Sequence, residues 1–521
     1  MQVFGGRSPS MRRLMALVAG LLVMAACGSP GARGGGGEKD SNGSLRIATD
    51  IEGGLYTYFD PVRYSSWPLM FTNLLYDTLL YYGPDGLEPG LATEWSFPDQ
   101  STVEFTLRQG VKFQDGSPLN AEAVKFSWDR VIAAGPEMTK VAAVKALESI
   151  EVVDDLTVRV RLSKPIAGDW RDRLLFSSQA GVGIVSPTAV RAAEAAGKKF
   201  DEAPVGAGPY KFVQFVPGQR VVLERWEGYW NPAAQQVARM EFVHTVPGAP
   251  TLTALAGGVA DIASVTAADL NGLQAQGLVV DQYPPVFETT WYQFCVARAP
   301  FDNLAVRQAA LHAIDRNAYT QAAYQGAATI NDKFPAPKFP YYPDSIDNPY
   351  PFDPGQARQL LQRAGATGAA VTLLTGSDPL SAAVAQIMQQ QLNAVGFTTQ
   401  IRQSQNTFND LPGVNWSIYF GAGSYPATSS AFFMPGGVGN ACGYDNPELT
   451  TAFDRTRNPQ ATAADLDQAW ADYQRVVYAD AAQFSIANPN DLVGRSEKVQ
   501  GVSGDITSGN PWVFADIYVT D

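Results

Sequence analysis

Histidine is nearly absent from this sequence, since only His244 and His312 occur among its 521 residues. They cannot form a His-x-x-x-His zinc motif, and both are predicted to be structural, His312 in a helix and His244 in an apolar strand. Charged residues are also scarce, at 17% of the chain, and acids outnumber bases by 51 to 38. The net charge of −13 argues against nucleic-acid partners and against peripheral binding to anionic lipid.

Motifs of several enzyme classes are missing as well. The sequence has no Gly-x-x-x-x-Gly-Lys, no Gly-x-Ser-x-Gly and no Cys-x-x-Cys, and so lacks the marks of nucleotide hydrolysis, serine-esterase and dithiol redox chemistry. A secreted glycosidase with two carboxylates facing one cleft is the enzymatic alternative, but no obvious pair of acids supports it. We therefore predict a protein that is not an enzyme and that uses no cofactor and no metal.

The first 26 residues have the pattern of a signal peptide. Arg12 and Arg13 precede an apolar run over 14–26, which is too short to span a bilayer. The string Val-Met-Ala-Ala-Cys at 23–27 resembles a bacterial lipobox and predicts lipidation at Cys27; the alternative is an ordinary secretory signal with a chance cysteine. Residues 27–44 are glycine-rich and predict a flexible tether. The chain is thus expected outside the cytoplasm, anchored to the cell membrane by lipid.

Two further cysteines, Cys295 and Cys442, complete the total of three. In an oxidising compartment they could form a disulfide. They could also remain separate thiols, because spacing in sequence gives no geometry.

Strand and helix patterns alternate along the rest of the chain, which predicts an α/β class with parallel sheet. A one-sided apolar stripe predicts a helix over 69–82. The other expected elements are hairpins over 152–162 and 210–225 and helices over 304–324, 352–364, 381–395 and 466–481.

Eight strings, taken in order, resemble the extracytoplasmic solute-binding proteins of the peptide/nickel type (family 5) that serve ABC importers. Residues 105–118 match F-x-L-R-x-G-V-K-F-H-D-G-x-P, with Gln114 at the usual histidine, and 204–210 match P-V-G-T-G-P-Y, with Ala207 for threonine. Each string is weak alone, whereas eight in the right order are specific. The remaining six are 87–95, 228–230, 300–303, 306–309, 313–316 and 352–354.

The resemblance implies a two-lobe α/β fold of the periplasmic-binding-protein type (type II, cluster C). Lobe one would take residues 45–288, with an inserted subdomain near 62–203, and the return at 490–521; lobe two would take 289–489. The chain would cross between the lobes near 288–291 and 486–490. Ligand would sit between the lobes, which close on it like a hinged jaw.

In peptide-binding members, the string W-x-x-D-x-x-D/E-P supplies an aspartate that pairs with the ligand's α-ammonium. Anchored on Pro426, the string here starts at Tyr419 and has Ala422 at the aspartate, and residues 411–444 contain no acid. An unpaired ammonium in a closed cleft is unfavourable. Either another carboxylate replaces the aspartate, or the ligand has no free α-amine there.

The expected ligand-binding residues lie near the crossings or at positions that the resemblance places in the cleft. Aromatic rings would offer flat surfaces for a ring, a hydrophobic side chain or a cation, although such rings also fill cores. Small and hydroxyl residues over 421–430 leave room for a bulky, weakly charged ligand. The set is Tyr64, Ser65, Trp67, Trp291, Trp416, Tyr419, Gly421, Ala422, Ser424, Tyr425, Asn440 and Asn488.

The resemblance implies a lipid-anchored substrate-binding component of an ABC importer. It would act as a monomer, capture an oligopeptide or a modified peptide, and deliver it to the permease and its ATPase. Alternatives on the same fold are a saccharide, an opine-like conjugate, haem or a metal chelate. A sensory receptor that reports ligand binding to another partner is the alternative outside transport.

Overall fold

The computed structural model describes residues 38–521 except for a set of short segments. Those segments are 52–58, 64–71, 84–85, 100, 135–146, 164–181, 247, 285–287, 335–336, 338, 340, 406–409, 411–417, 425–431, 438, 459–460 and 505–513. The predicted signal peptide and most of the tether lie outside the described residues. Six residues with a predicted role also lie there: Cys27, which would carry the lipid, and the predicted ligand-binding residues Tyr64, Ser65, Trp67, Trp416 and Tyr425.

Strands and helices alternate through the described chain. The strands are β1 (Ser44–Thr49), β2 (Leu80–Gly83), β3 (Gly86–Pro89), β4 (Ala92–Asp99), β5 (Thr102–Leu107), β6 (Leu147–Asp154), β7 (Thr157–Leu162), β8 (Tyr210–Val216), β9 (Arg220–Arg225), β10 (Arg239–His244), β11 (Ile262–Val265), β12 (Val279–Tyr283), β13 (Glu288–Phe294), β14 (Ala328–Ile330), β15 (Ala370–Gly376), β16 (Thr398–Ser404), β17 (Ile418–Ser424), β18 (Gln483–Pro489), β19 (Asp491–Arg495), β20 (Val499–Gln500) and β21 (Tyr518–Val519). The helices are α1 (Thr72–Leu75), α2 (Ala121–Ala134), α3 (Pro187–Ala195), α4 (Ala249–Ala256), α5 (Leu270–Ala275), α6 (Leu304–His312), α7 (Arg316–Tyr324), α8 (Pro354–Arg363), α9 (Pro379–Val395), α10 (Pro447–Thr456) and α11 (Ala463–Asp480).

The first large sheet has seven strands in the order β12-β19-β11-β1-β10-β9-β8. The central strand β1 runs parallel to both of its neighbours, β10 and β11, and the remaining pairs are antiparallel. Leu45 and Ile47 of β1 are fully buried in one core with Leu223 and Phe242, because alternate residues of a strand share a face. Helix α4 follows β10 and packs on β1 and β11.

The second large sheet has six strands in the order β14-β18-β13-β17-β15-β16. Tyr292 and Phe294 of β13 belong to one core and Trp291 and Cys295 to another, so both faces of the sheet are covered. Helix α9, which flanks this sheet, shows how the sequence fixes the start of a helix. Asp378 accepts the amide hydrogen of Ser381 at 2.9 Å to cap the first turn, and the next residue is proline.

A smaller antiparallel sheet has the strand order β4-β5-β7-β6. In sequence it lies between β1 and β8 of the seven-stranded sheet. Helix α2 packs on β6 and β7 and places Trp128 in a core with Phe105 and Val158. Hairpins join β4 to β5 and β6 to β7, the second at the turn predicted at 154–155, whereas α2 lies between β5 and β6 in sequence.

Several predicted elements are confirmed. The two hairpins are β6–β7 and β8–β9, and α8, α9 and α11 match the helices predicted over 352–364, 381–395 and 466–481. The helix predicted over 304–324 is two helices, because Asp315 caps a new start at α7 by accepting the Ala318 amide hydrogen at 3.0 Å. Both large sheets mix parallel with antiparallel pairs, rather than being parallel throughout.

The helix predicted over 69–82 is wrong. Helix α1 ends at Leu75, and residues 80–83 form β2, which pairs with β3. Leu79, Leu80 and Tyr81 are all buried, and a short run that is buried on every side has no helical period to distinguish it from a strand. The Gly-Pro-Asp-Gly string at 83–86 is the hairpin signal that would have corrected the prediction.

Candidate functional site

The chain passes from the seven-stranded to the six-stranded sheet after Tyr283 and returns between Pro489 and Asp491. Tyr283 pairs with Asp491, and Val265 at the end of β11 pairs with Leu492. Because β1 and β10 run parallel to β11, their carboxyl ends lie at this same edge, which is where open α/β sheets bind ligands. We call it the seven-strand edge, comprising Thr49, Asp50, His244, Thr245, Val265, Thr266, Tyr283 and Asp491.

The six-stranded sheet meets the crossings at the start of β13 and at the ends of β17 and β18. In register, Glu288 lies opposite Ser424, Thr290 opposite Ala422 and Trp291 opposite Gly421. Thr290 also pairs with Ala487 on β18 and donates its hydroxyl hydrogen to that carbonyl at 2.9 Å. We call this the six-strand edge, comprising 288–291, 421–424 and 487–489. It brings together five predicted site residues: Trp291, Gly421, Ala422, Ser424 and Asn488.

Trp291 lies in an aromatic cluster and is fully buried. Its ring centroid lies 4.8 Å from that of Phe432, 5.2 Å from Phe433 and 5.5 Å from Tyr419. Tyr419 in turn stacks on Phe432 at 5.9 Å. Among the described residues, the indole N–H of Trp291 has no hydrogen-bond partner. Trp291 and Tyr419, both predicted site residues, therefore form a packed wall behind the six-strand edge.

Asn440 lies in a turn tied to this wall. Its side-chain amide donates to the carbonyls of Met434 and Tyr444, at 3.1 and 2.7 Å, and its oxygen accepts the Tyr444 amide hydrogen at 2.7 Å. A disulfide joins Cys442 in the same turn to Cys295, at the end of β13. The amide of Asn440 thus holds the turn. Asn488 is buried and lies opposite Thr329 of β14.

The seven-strand edge carries an aspartate next to a histidine. Thr49 and His244 are paired residues of β1 and β10, and Asp50 follows directly. The Nδ1 atom of His244 accepts the amide hydrogen of Ile51 at 3.3 Å and lies 3.6 Å from Oδ1 of Asp50. The Asp50 side chain is 30% exposed and the His244 side chain 20%. Sequence reasoning had assigned His244 a purely structural role and had not considered Asp50.

The other histidine, His312, is the last residue of α6. Nδ1 of His312 is 2.8 Å from the carbonyl oxygen of Pro351, which holds the loop before α8. Within the described ranges, no three His, Cys, Asp or Glu residues gather as a metal site. In the same part of the chain, no helix has both the length and the apolarity to cross a membrane.

The profile of "Bacterial extracellular solute-binding proteins, family 5 Middle" matches residues 86–444, which is more than half of the chain. The chain belongs to this family. It is 29% identical over 429 residues to the glutathione-binding protein GsiB of Pectobacterium atrosepticum, covering 77% of this chain and 80% of the relative.

Solved structures of family 5 binding proteins share the fold. DppA from Helicobacter pylori, in complex with the peptide STSA, superposes with a TM-score of 0.73 at 23% identity, covering 92% of this chain and 98% of that one. NikA from Brucella suis, in complex with Fe(III)-EDTA, gives 0.79 at 21% identity, covering 92% and 100%. The predicted two-lobe α/β fold is thus confirmed, as is the role of a substrate-binding protein of an ABC transporter rather than an enzyme.

One side chain links two of the family 5 strings. Gln114, at the usual histidine, donates its amide hydrogens to the carbonyls of Leu75, Gly208 and Tyr210, at 3.3, 3.1 and 2.7 Å. Its oxygen accepts the Gly206 amide hydrogen at 3.3 Å. One side chain therefore joins the string at 105–118 to the string at 204–210.

Asp77 forms a second polar centre, which sequence reasoning missed. Its fully buried carboxylate accepts hydrogen bonds from Tyr81 Oη at 2.5 Å, Tyr229 Oη at 3.0 Å and Trp230 Nε1 at 2.5 Å. The guanidinium of Arg108 lies 3.9 Å from the Trp230 ring centroid. Burial raises the pKa of Asp77 to about 6, against the lowering effect of its three hydrogen bonds. An acid inside a mostly apolar run, 74–82, was the signal available.

Proposed function

We propose that this family 5 protein is a lipid-anchored receptor that captures an oligopeptide or a modified peptide between its two lobes and delivers it to an ABC permease. The likeness to GsiB carries this proposal, because it extends over 77% of the chain and GsiB is named for glutathione, a modified tripeptide. The DppA complex with STSA supports the same ligand class. The lipid would be attached at Cys27, and the receptor would act as a monomer.

The proposed lobes follow the sheets. Lobe one would hold 45–288 and 490–521, with the subdomain near 62–203, and lobe two 289–489. The seven-stranded sheet uses strands from 44–283 and 491–495, whereas the six-stranded sheet uses strands within 288–489, which supports these boundaries. The proposed binding residues are those expected from the sequence: Trp291, Gly421, Ala422, Ser424 and Asn488 of the six-strand edge, together with Tyr64, Ser65, Trp67, Trp416, Tyr419, Tyr425 and Asn440.

A metal chelate is the second candidate ligand, because NikA, a structure of similar TM-score, is named in complex with Fe(III)-EDTA. The absence of a clustered set of His, Cys, Asp and Glu in the described chain does not oppose this ligand, since a chelate brings its own donor atoms. The candidate differs from the first in needing no group on the protein that recognises an α-amine.

Native mass spectrometry of the mature protein from its producing host, followed by denaturation, tests the proposal. We expect released masses that match peptides or peptide conjugates. Calorimetric titration with glutathione and with Ser-Thr-Ser-Ala should then show saturable binding. A released sugar, opine or chelate, together with no heat from either titrant, would contradict the peptide assignment.

A further inference from the structure

We propose that the groove between α10 and α11 is a second binding site, and that its Arg455 and Arg475 bind a small oxyanion, a carboxylate or a phosphate. None of the residues that line this groove belongs to the proposed peptide site. The inference therefore goes beyond the proposed function and does not depend on it.

The groove lies on two helices that pack together on one face of the six-stranded sheet. The ring centroids of Phe453 on α10 and Tyr473 on α11 are 5.9 Å apart, in the same core as Trp291 of β13. The groove has a volume of about 470 Å³, which is within the range of small-molecule sites. It is lined by Pro447, Glu448, Thr451, Ala452 and Arg455 of α10 and by Asp472, Arg475 and Val476 of α11.

Asp472 holds the two arginines of the groove together. Its Oδ2 atom accepts a hydrogen bond from Nη1 of Arg455 at 2.6 Å, and its Oδ1 atom accepts one from Nη1 of Arg475. Gln468 also donates to Oδ1, at 2.8 Å. Both carboxylate oxygens are therefore engaged, and one aspartate keeps two guanidinium groups next to each other.

Most of the donors on these guanidinium groups are still available. A guanidinium has five N–H donors, and within the described chain Arg455 and Arg475 each donate only through Nη1. The two side chains are 52% and 50% exposed, so an anion can reach the remaining donors. Adjacent guanidinium groups with free N–H donors are well suited to a carboxylate or a phosphate, because both anions accept pairs of hydrogen bonds.

The other acids near the arginines limit the size of the anion. Asp465, which is close enough to interact with Arg455, caps α11 by accepting the amide and hydroxyl hydrogens of Thr462 at 2.9 and 2.8 Å. Glu448 also lines the groove, seven residues before Arg455 and so about 10 Å away along α10. A short anion bound at the arginines stays away from Glu448, whereas a long polyanion would be repelled by it.

The apolar part of the lining distinguishes an organic acid from an inorganic ion. Ala452 and Val476 are 5% and 7% exposed and give the groove a hydrocarbon surface. A short carboxylic acid can pack its carbon chain there, while its carboxylate binds the arginines. We therefore expect a small organic acid to bind more tightly than inorganic phosphate.

Equilibrium dialysis of the mature protein with labelled succinate and labelled phosphate tests the inference. We expect saturable binding of succinate, weaker binding of phosphate, and no binding of succinamide, the neutral analogue. Arg455→Gln combined with Arg475→Gln should weaken succinate binding by about tenfold or more, because charge-assisted hydrogen bonds are lost. Arg220→Gln is the matched control, since Arg220 is 46% exposed and paired with Glu241 in the other large sheet; it should leave the affinity unchanged.

Glu448→Gln tests the site in the opposite direction and leaves both arginines with their partner. It should tighten succinate binding by about twofold, because it removes a repulsion between charges about 10 Å apart in water. A groove with a purely structural role would show no such gain. This variant also keeps the test decisive if the double arginine variant does not fold.

The outcomes separate the site from the ligand cleft between the lobes. Succinate that binds the double arginine variant as tightly as wild type overturns the inference, because the anion then binds elsewhere. The absence of saturable binding of either anion at millimolar concentration overturns it as well. Phosphate binding that requires both arginines, without succinate binding, supports the site and makes phosphate its ligand. The proposed peptide receptor is tested separately, by titration with glutathione and Ser-Thr-Ser-Ala.

Discussion

Around Asp77 the interior is held by polar side chains, whereas around Trp291 it is held by aromatic rings and a disulfide. In the first region a buried carboxylate gathers two hydroxyls and an indole N–H. In the second, three aromatic rings have centroids 4.8 to 5.5 Å from that of Trp291, and Cys295 is bonded to Cys442. Hydrogen-bonded groups must all be satisfied together, so the first region is sensitive to charge and pH, while the second is sensitive to volume and redox state.

The largest loss is expected from Trp291→Ala. The ring is fully buried against three aromatic rings, and its removal should lower the free energy of unfolding by about 3–5 kcal/mol through lost contacts and the cavity left behind. Trp291→Phe is the matched control. It keeps an aromatic ring and removes the smaller part of the indole, whose N–H has no hydrogen-bond partner among the described residues, so it should cost less than the alanine variant. Urea unfolding measures both changes.

The same pair of variants also locates Trp291. If Trp291→Ala left stability unchanged but abolished ligand binding, the ring would be a cleft residue rather than a packed wall. The region around Trp291 would then not be an interior held together by aromatic packing.

The disulfide should rank second. Cys295 and Cys442 are separated by 147 residues, and a cross-link over a long loop stabilises a protein by roughly 2–4 kcal/mol. We expect Cys295→Ser combined with Cys442→Ser to unfold at a lower urea concentration, and dithiothreitol to lower the wild-type midpoint to that of the variant. A wild-type midpoint that does not respond to reduction would contradict the bond.

Asp77 should behave differently, because its contribution depends on pH. Its folded pKa of about 6 is above the value of 3.8 for a free aspartate, since burial disfavours the charged form. The stability that Asp77 contributes is therefore fully present below about pH 4, and the free energy of unfolding falls as pH rises through 6. The fall is about 3 kcal/mol at most, because each unit of pKa difference corresponds to about 1.4 kcal/mol. Asp77→Asn should remove this loss, so the variant should gain on wild type between pH 4 and 7.

Asp77→Ala is the counterpart. It leaves the Tyr81 and Tyr229 hydroxyls and the Trp230 N–H without their acceptor, and should be about 1–3 kcal/mol less stable than Asp77→Asn at all pH values, since neither variant titrates here. If the asparagine and alanine variants were equally stable at pH 7, the hydrogen bonds around Asp77 would contribute nothing. Guanidinium unfolding of both variants across pH decides the point.

Local sequence signals predicted the parts of the fold that depend on neighbours in sequence. Gly110 and Gly116, in the string at 105–118, have φ of 79° and 83°, where other residues are strained. The hairpins and the capped helices followed for the same reason. The helix predicted over 69–82 failed because residues 74–81 are all buried, and burial on every side erases the period that separates helix from strand.

The site needed information that no local pattern holds. Asp77 meets partners 152 and 153 residues away, and the two cysteines meet across 147. The family string led to Ala422 but not to Asp50, because only the register of β1 with β10 and β11 places Asp50 at the crossings. Trp291 was chosen because it lies near a crossing, and Asn440 because the resemblance places it in a polar loop. Neither criterion distinguishes a packed ring or a saturated amide from a ligand contact.

The smallest effect is expected where one polar side chain joins two scaffold strings. Gln114→Glu preserves shape but sets a carboxylate against the carbonyl oxygens of Leu75, Gly208 and Tyr210, so the protein should lose about 1–2 kcal/mol at neutral pH. Acidification should restore part of this loss, because a protonated carboxyl can donate again. Gln109→Glu, the same change at an exposed turn position, is the control. If the two variants unfolded at the same temperature, the hydrogen bonds of Gln114 would not hold the two strings together. Asp77 would then be the one example here of an interior held by polar side chains.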